Sequence, residues 1–330
     1  MITIGVIGAG AWGTALAQSF ARNERSVILW TRQASLAETI NADHINPAYL
    51  PETTLHDNIF ATPDMASVCR ADILVPVVPA QYLRATLEQA APHIAPGKAV
   101  IICSKGIEIS SGKLMSQVAA EIIPHALIGI LSGPNFAHEV AQGLPAAATL
   151  ACADLEKITP VRDALASKTL RLYLSDDVIG TQIGGAVKNV IAIVCGIIAG
   201  RGLGENTRAA VVTRGLHEMA RLAQAMGGER ETLMGLSGIG DLILTCSSMQ
   251  SRNFSLGHAL GQGKSLKDIL GERHGVTEGV PTTEALVTLA AQYKVDMPIV
   301  ASLHDFLSGA VDIDTAIQRL LERPFQVETH

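Results

Sequence analysis

The chain has 330 residues, 48% hydrophobic and 17% charged; this balance fills a large core, exceeds one ordinary domain and excludes a disordered chain or a lone small module. With 25 basic against 31 acidic residues, a net charge of −6 and no Lys/Arg-rich run, it lacks the attraction to phosphate backbones that nucleic-acid binding needs, so no nucleic-acid partner is expected. Trp, Tyr and Phe number only 2, 4 and 6, which favours layered α/β or helical packing over a ring-filled β-sandwich.

Residues 2–7 are a short β-branched run that breaks at Gly8, and residues 14–22 carry helix formers at apolar spacing. The pair predicts strand, turn, helix. Strand signals return at 27–30, 73–78, 99–103 and 127–131, with helical stretches such as 82–91 and 113–122 between some of them, an alternation that implies parallel βαβ units. Runs at 146–151 and 170–174, around a helix-like 155–166, extend the same layer before Asp176-Asp177 caps a different pattern. From residue 178 onward long helical periods dominate, at 182–199, 209–226, 283–293, 299–307 and 313–321. The expectation is an α/β chain: an N-terminal Rossmann-type, mostly parallel sheet domain over residues 1–180 and a C-terminal all-α domain over 181–330, sharing a cleft that is the default site. Residues 324–330 read as a frayed tail.

The longest apolar run, residues 190–200, is about half of what a spanning helix needs, so it reads as a buried core helix and no membrane span is expected. The opening Met1-Ile2-Thr3-Ile4 lacks the features of a secretory signal, which points to a cytoplasmic protein. Five cysteines without a C-x-x-C propose neither disulfides nor a thiolate zinc site. The ten histidines are scattered, His138 reads as a loop or packing residue, and no metal is expected.

Gly8-Ala9-Gly10-Ala11-Trp12-Gly13 is a G-x-G-x-x-G between a strand and a helix, the context that motif requires. Gly8 makes the tight turn, Gly10 admits a pyrophosphate to the backbone, Gly13 lets helix and strand pack closely, and the helix N-terminus favours an anion. A dinucleotide is the favoured ligand. An acidic residue about 20 positions on would mark NAD; here Trp30-Thr31-Arg32 stands instead. Arg32 offers a fork for a 2′-phosphate, which favours NADPH over NADH, although a surface Arg at a strand end is also common. Farther on, Gly184-Gly185-Ala186-Val187-Lys188-Asn189-Val190-Ile191-Ala192 sets one Lys in an otherwise small and apolar helix face with Gly184 and Ile191. It either lines a polar cleft or snorkels to solvent.

In order and spacing, GAGAWG, Ser104-Lys105-Gly106, Leu131-Ser132-Gly133-Pro134-Asn135-Phe136-Ala137, GGAVKNVIA, Gly238-Ile239-Gly240-Asp241-Leu242 and Gln250-Ser251-Arg252-Asn253 together resemble bacterial NAD(P)-dependent glycerol-3-phosphate dehydrogenase. The likeness covers nearly the whole chain. It implies reversible hydride transfer between NADPH or NADH and C2 of dihydroxyacetone phosphate, giving sn-glycerol 3-phosphate for phospholipid synthesis. Lys188 matches the family's proton donor and acceptor, and Lys105 a second Lys that touches cofactor and substrate. Asp241 would orient the two, though an Asx-turn or helix N-cap serves equally well on sequence alone. Gly133, Asn135, Ser251, Arg252 and Asn253 match substrate contacts, the last three at the phosphate, where Ser251 also reads as an N-cap. Ala11, Trp12, Arg32, Ala137, Arg252, Val276 and Glu278 match cofactor contacts, with Tyr49 a weaker candidate. One departure stands out: at Val194-Cys195 the family pattern leads us to expect smaller residues, which bears on helix packing. Two other readings stay open, a Lys-using reductase of carboxylate substrates and a dinucleotide-sensing regulator. A homodimer is expected by analogy of fold.

Overall fold

The computed structural model describes residues 2–272 and 276–322, so the expected tail at 324–330 lies outside the described residues. Eight strands, β1 Thr3–Ile7, β2 Ser26–Trp30, β3 Ile59–Thr62, β4 Ile73–Pro76, β5 Ala99–Ile102, β6 Leu127–Ser132, β7 Ala146–Ala151 and β8 Leu170–Ser175, form one sheet in the order β3-β2-β1-β4-β5-β6-β7-β8. Helices α1 Ala11–Arg22, α2 Ala34–Asp43, α3 Met65–Cys69, α4 Leu83–Ala90, α5 Met115–Ile122, α6 Ala137–Gln142 and α7 Leu155–Leu165 connect the strands. The strands are apolar along both faces, as buried parallel strands must be; Ile4, Val6, Leu74, Val75, Val100 and Ile101 are all inaccessible to solvent or nearly so.

Strands β1 to β6 pair in parallel, whereas β7 runs antiparallel to β6 and carries β8 parallel to itself. A parallel return needs a crossover lying on the sheet. Between β6 and β7 the chain has only the six-residue α6, which packs on α1 instead, and the strand comes back reversed. The sequence patterns missed β3, α2 and α3. β3 is an edge strand whose central Phe60 is exposed, α3 has five residues, too few to show a helical period, and α2 carries just three buried residues.

After β8 the chain is helical: α8 Val178–Gly200, α9 Glu205–Ala225, α10 Asp241–Cys246, α11 Arg252–Gly261, α12 Leu266–Glu272, α13 Gly279–Tyr293, α14 Pro298–Leu307 and α15 Ile313–Leu321. The 23-residue α8 is long and apolar enough to cross a membrane by length and composition, yet every residue from Gly180 to Ile198 is buried against protein. α9, α10, α11 and α13 pack around it. The tightest of these contacts is with α11: a Cβ on Gly196 would lie 2.1 Å from the Phe254 carbonyl oxygen, and one on Gly257 1.9 Å from that of Ile193. The small residues looked for at 194–195 are therefore supplied slightly later in the helix, and the packing is close.

Candidate functional site

At the C-terminal end of β1 the backbone turns at Gly8, whose φ of +120° suits glycine alone. Its N–H donates to the Trp30 carbonyl at 3.1 Å, placing the end of β2, and with it the exposed Arg32, beside the turn. A Cβ on Gly13 would sit 1.9 Å from the Gly8 carbonyl oxygen, so α1 starts hard against the strand. Gly10 is the N-cap of α1, with no side chain bonded to the helix N-terminus and no acidic residue in the first turn. Beside Gly10 nothing lies within 4 Å of where a Cβ would be. An uncapped N-terminus of a 12-residue helix, facing open space, fits a pyrophosphate. Trp12 and Ala137 pack around Ala15, Leu50, Val140 and Ala141, and Tyr49 stands 42% exposed next to Leu50.

Two consecutive glycines on α8 organise the second part of the site. A Cβ on Gly184 would meet the Ser237 carbonyl oxygen at 2.3 Å, and one on Gly185 the Ser132 hydroxyl at 2.8 Å and the Lys105 stem at 3.5 Å. Their bareness lets the Leu236–Gly240 turn approach from one side and β6 with the Lys105 loop from the other. One turn further along α8, Lys188 then faces Asp241, the first residue of α10. Asp241 is 1% exposed and Lys188 7%. Lys188 Nζ bonds Asp241 Oδ1, and donates at 2.9 Å to Thr245 Oγ1. Lys105 Nζ donates to Asp241 Oδ2 at 2.6 Å and to the Gly133 carbonyl at 3.2 Å. One buried carboxylate thus holds two ammonium groups, and each keeps one of its three N–H donors for a ligand.

Burial pushes the Lys188 ammonium down from 10.5 to about 8, with Asp241 opposing and Lys105 adding to the fall. Burial alone would raise the Asp241 carboxyl, but the Lys105 and Lys188 charges prevail and hold it below its ordinary value. Thr245 escaped sequence reading. It lies four residues after Asp241, on the same helix face, and its hydroxyl donates to the Asp241 carbonyl at 2.6 Å; that spacing was the available signal.

Around this cluster are polar groups with unspent capacity. Asn135 gives its amide to the Ala147 carbonyl at 3.0 Å, while its Oδ1, like Ser132 Oγ, is buried with no protein partner. Ser251 caps α11, accepting from the Phe254 N–H at 3.2 Å, and Arg252 is exposed in the first turn. Asn253 is buried: Nδ2 donates to Asn189 Oδ1 at 2.9 Å and Oδ1 accepts from the Gly279 N–H at 2.9 Å. One amide hydrogen is left for a ligand. Glu278 Oε1 accepts from the Ala80 N–H at 3.2 Å, its Oε2 is buried without a partner, and burial raises its carboxyl to about 7, against the pull of Arg252. Val276 is half-buried two residues before it. The structure therefore joins Lys105, Gly133, Lys188 and Asp241 directly and links Asn253, through Gly279, to Glu278. Arg32 and Tyr49 belong to the glycine-turn end instead.

Residues 3–158 match the model of the NAD-dependent glycerol-3-phosphate dehydrogenase N-terminus, and residues 177–318 that of its C-terminus. A glycerol-3-phosphate dehydrogenase (NAD(P)+) of Rhodospirillum rubrum is 54% identical over 98% of this chain and 93% of its own, and one of Parvibaculum lavamentivorans 51% over 99% and 98%. Among solved structures, the glycerol-3-phosphate dehydrogenase of Coxiella burnetii superposes with a TM-score of 0.93 at 35% identity, over 98% of this chain and 99% of the other. With both halves matched and half of the positions identical across the full length, the chain belongs to the NAD-dependent glycerol-3-phosphate dehydrogenase family.

Proposed function

We propose that Lys188 is the proton donor and acceptor in the interconversion of dihydroxyacetone phosphate and sn-glycerol 3-phosphate, and that Lys105 is the second positive group at the reacting carbonyl. The chain is an oxidoreductase of this kind, using NADH or NADPH. When bound, the reduced nicotinamide supplies the hydride that C2 of the ketone accepts. The ketone oxygen then develops alkoxide charge, which needs a proton and a positive field within hydrogen-bond reach. The remaining N–H of Lys188 gives the proton and leaves a neutral amine; in oxidation the amine takes it back. Lys105 keeps its charge beside the same oxygen, while Asp241 holds both nitrogens at fixed separation and Thr245 fixes the Lys188 head. An ammonium lowered to about 8 is suited to proton transfer in either direction near neutrality.

For the cofactor, Gly8, Gly10, Ala11, Trp12 and Gly13 would cradle the pyrophosphate, Arg32 a 2′-phosphate, and Tyr49, Lys105, Ala137, Arg252, Val276 and Glu278 the remainder. This reading favours NADPH because of Arg32. Ser251, Arg252 and Asn253 would take the substrate phosphate at the start of α11, and Gly133 and Asn135 its polyol end. We divide the chain near residue 180, between the sheet and α8, and read it as a cytoplasmic homodimer that supplies phospholipid synthesis. All five cysteines are unpaired thiols, which suits a reducing compartment. The supporting observation for the chemistry is the single buried carboxylate shared by two lysines.

Steady-state oxidation of NADPH and NADH by the purified chain, with and without dihydroxyacetone phosphate, tests this reading. Arg252→Ala is expected to raise KM for the ketone by at least about tenfold, the effect of losing one charge-assisted contact. An unchanged KM would remove Arg252 from the phosphate site and favour a carboxylate substrate.

A further inference from the structure

Asn46 is fully buried in the loop that follows α2, far in sequence from the glycine turn. Its Nδ2 donates both hydrogens into that turn, to the Ala9 carbonyl at 2.9 Å and to Thr14 Oγ1 at 2.8 Å. The Thr14 hydroxyl in turn donates to the Ala9 carbonyl at 3.3 Å. The Asn46 carbonyl accepts from the N–H groups of Leu50, at 2.9 Å, and Tyr49, at 3.3 Å, so the same residue closes the short turn that presents Tyr49. Its Oδ1 is buried without a partner. The side chain thus ties the Tyr49 turn to a backbone carbonyl 37 residues earlier in the chain.

We propose that Asn46 is a positioning residue for the dinucleotide, setting the direction of the Ala9–Gly10 peptide and fastening the Tyr49 turn to it. In a planar trans peptide the C=O and the following N–H point in opposite directions. With the Ala9 oxygen drawn inward by Asn46 and Thr14, the Gly10 N–H is turned the other way, towards an incoming phosphate oxygen. Losing Nδ2 frees that peptide to rotate before a ligand arrives, and binding must then order it. The inference rests on the reading that the pyrophosphate lies at Gly10.

The test measures the Kd of NADPH by fluorescence titration, the melting temperature, and kcat and KM for dihydroxyacetone phosphate at saturating NADPH. Asn46→Ala is expected to raise the NADPH Kd about tenfold, the effect of one lost and one misdirected hydrogen bond. Thr14→Val should move it the same way and Thr14→Ser, which keeps the hydroxyl, should restore it. kcat and the ketone KM should change by less than about twofold in all three. The double variant Asn46→Ala/Thr14→Val should lose less than the product of the single effects, because both donors share one acceptor. Gly10→Ala tests the underlying reading independently: the space beside Gly10 accepts a Cβ, so the variant folds, and a phosphate there would clash with it. If Gly10→Ala binds NADPH normally, the pyrophosphate reading fails. If Gly10→Ala weakens binding and neither Asn46→Ala nor Thr14→Val does, the role of Asn46 fails. A drop in melting temperature with a matching loss in every kinetic parameter would likewise overturn it, as a purely structural effect. Should Asn46→Ala not fold, the contrast between Thr14→Val and Thr14→Ser decides.

Discussion

Replacing Lys188 with Met is expected to remove catalysis and leave the protein as stable as before or more so. The Lys188 ammonium falls from 10.5 in water to about 8 in the fold, chiefly through burial. A drop of that size means that the charged form is less favourable in the site than in the unfolded chain by about 3 kcal/mol, at 1.36 kcal/mol per tenfold change. The attraction to Asp241 is already included in that balance. Met has similar length and no charge, and leaves Asp241 paired to Lys105 at 2.6 Å. Thr245 Oγ1 and Asp241 Oδ1 each lose one donor, which offsets about 1–2 kcal/mol. The net gain is about 1–2 kcal/mol, a rise of a few degrees at most in melting temperature. Turnover should fall by about 10²–10⁴, the usual effect of losing a positioned acid, with the NADPH Kd near its original value. Asp241→Asn is the converse: the buried Lys188 and the half-buried Lys105 lose their shared countercharge, costing about 3–5 kcal/mol of stability along with activity. Calorimetry at pH 7 and steady-state NADPH oxidation on both variants check this. A Lys188→Met protein that melts well below the original, or that keeps its turnover, would refute the account of the ion cluster or of the proton donor respectively.

The same ammonium sets a pH profile: kcat/KM for ketone reduction should be level below about pH 8 and fall above it, while kcat/KM for glycerol 3-phosphate oxidation should rise through the same value; profiles of like direction would contradict the assignment. Because the folded value lies below the unfolded one, stability relative to Lys188→Met should rise with pH between about 8 and 10.5. Arg32→Ala should raise KM for NADPH more than for NADH, and equal losses would argue against 2′-phosphate recognition. Away from the site, Glu218 on α9 is 2% exposed and accepts from the Ile299 and Val300 N–H groups at 2.8 and 3.4 Å, at the start of α14. Burial raises its carboxyl from 4.5 to about 7. The folded chain holds a proton that the unfolded chain releases in that window, so stability drops as pH rises from 4.5 to 7. Glu218→Gln should flatten this dependence and melt higher at pH 8, by up to about 3 kcal/mol of stability; parallel melting curves for the two proteins from pH 5 to 8 would exclude it.

What could be read from the sequence was what depends on near neighbours along the chain. The strand before Gly8, the glycine turn and α1 are continuous in sequence, and local geometry supplies the reason for Gly8 and Gly13. Lys188 stood out because a lone charge on an apolar helix face needs a partner, but nothing local named that partner. Asp241 lies 53 residues away and Lys105 136 residues from Asp241, and only the family resemblance joined the three in advance. Asn46 and Glu218 gave no signal at all: an Asn in a polar loop and a Glu on a helix look like solvent-facing residues until the fold buries them. The sheet is mostly parallel, as expected, but its one reversal, at β7, gave no signal either, since the strand's own residues do not set its direction. The bare glycines of α8 connect the two levels. Gly184 and Gly185 were legible as small residues beside Lys188, yet their consequence is tertiary: they admit the Asp241 turn on one side and the Lys105 stem on the other. A side chain at Gly184 should therefore displace Asp241 through the Ser237 backbone, and one at Gly185 should press on Ser132 and the Lys105 stem, which makes the geometry of the cluster a property of helix packing as much as of the charged residues themselves.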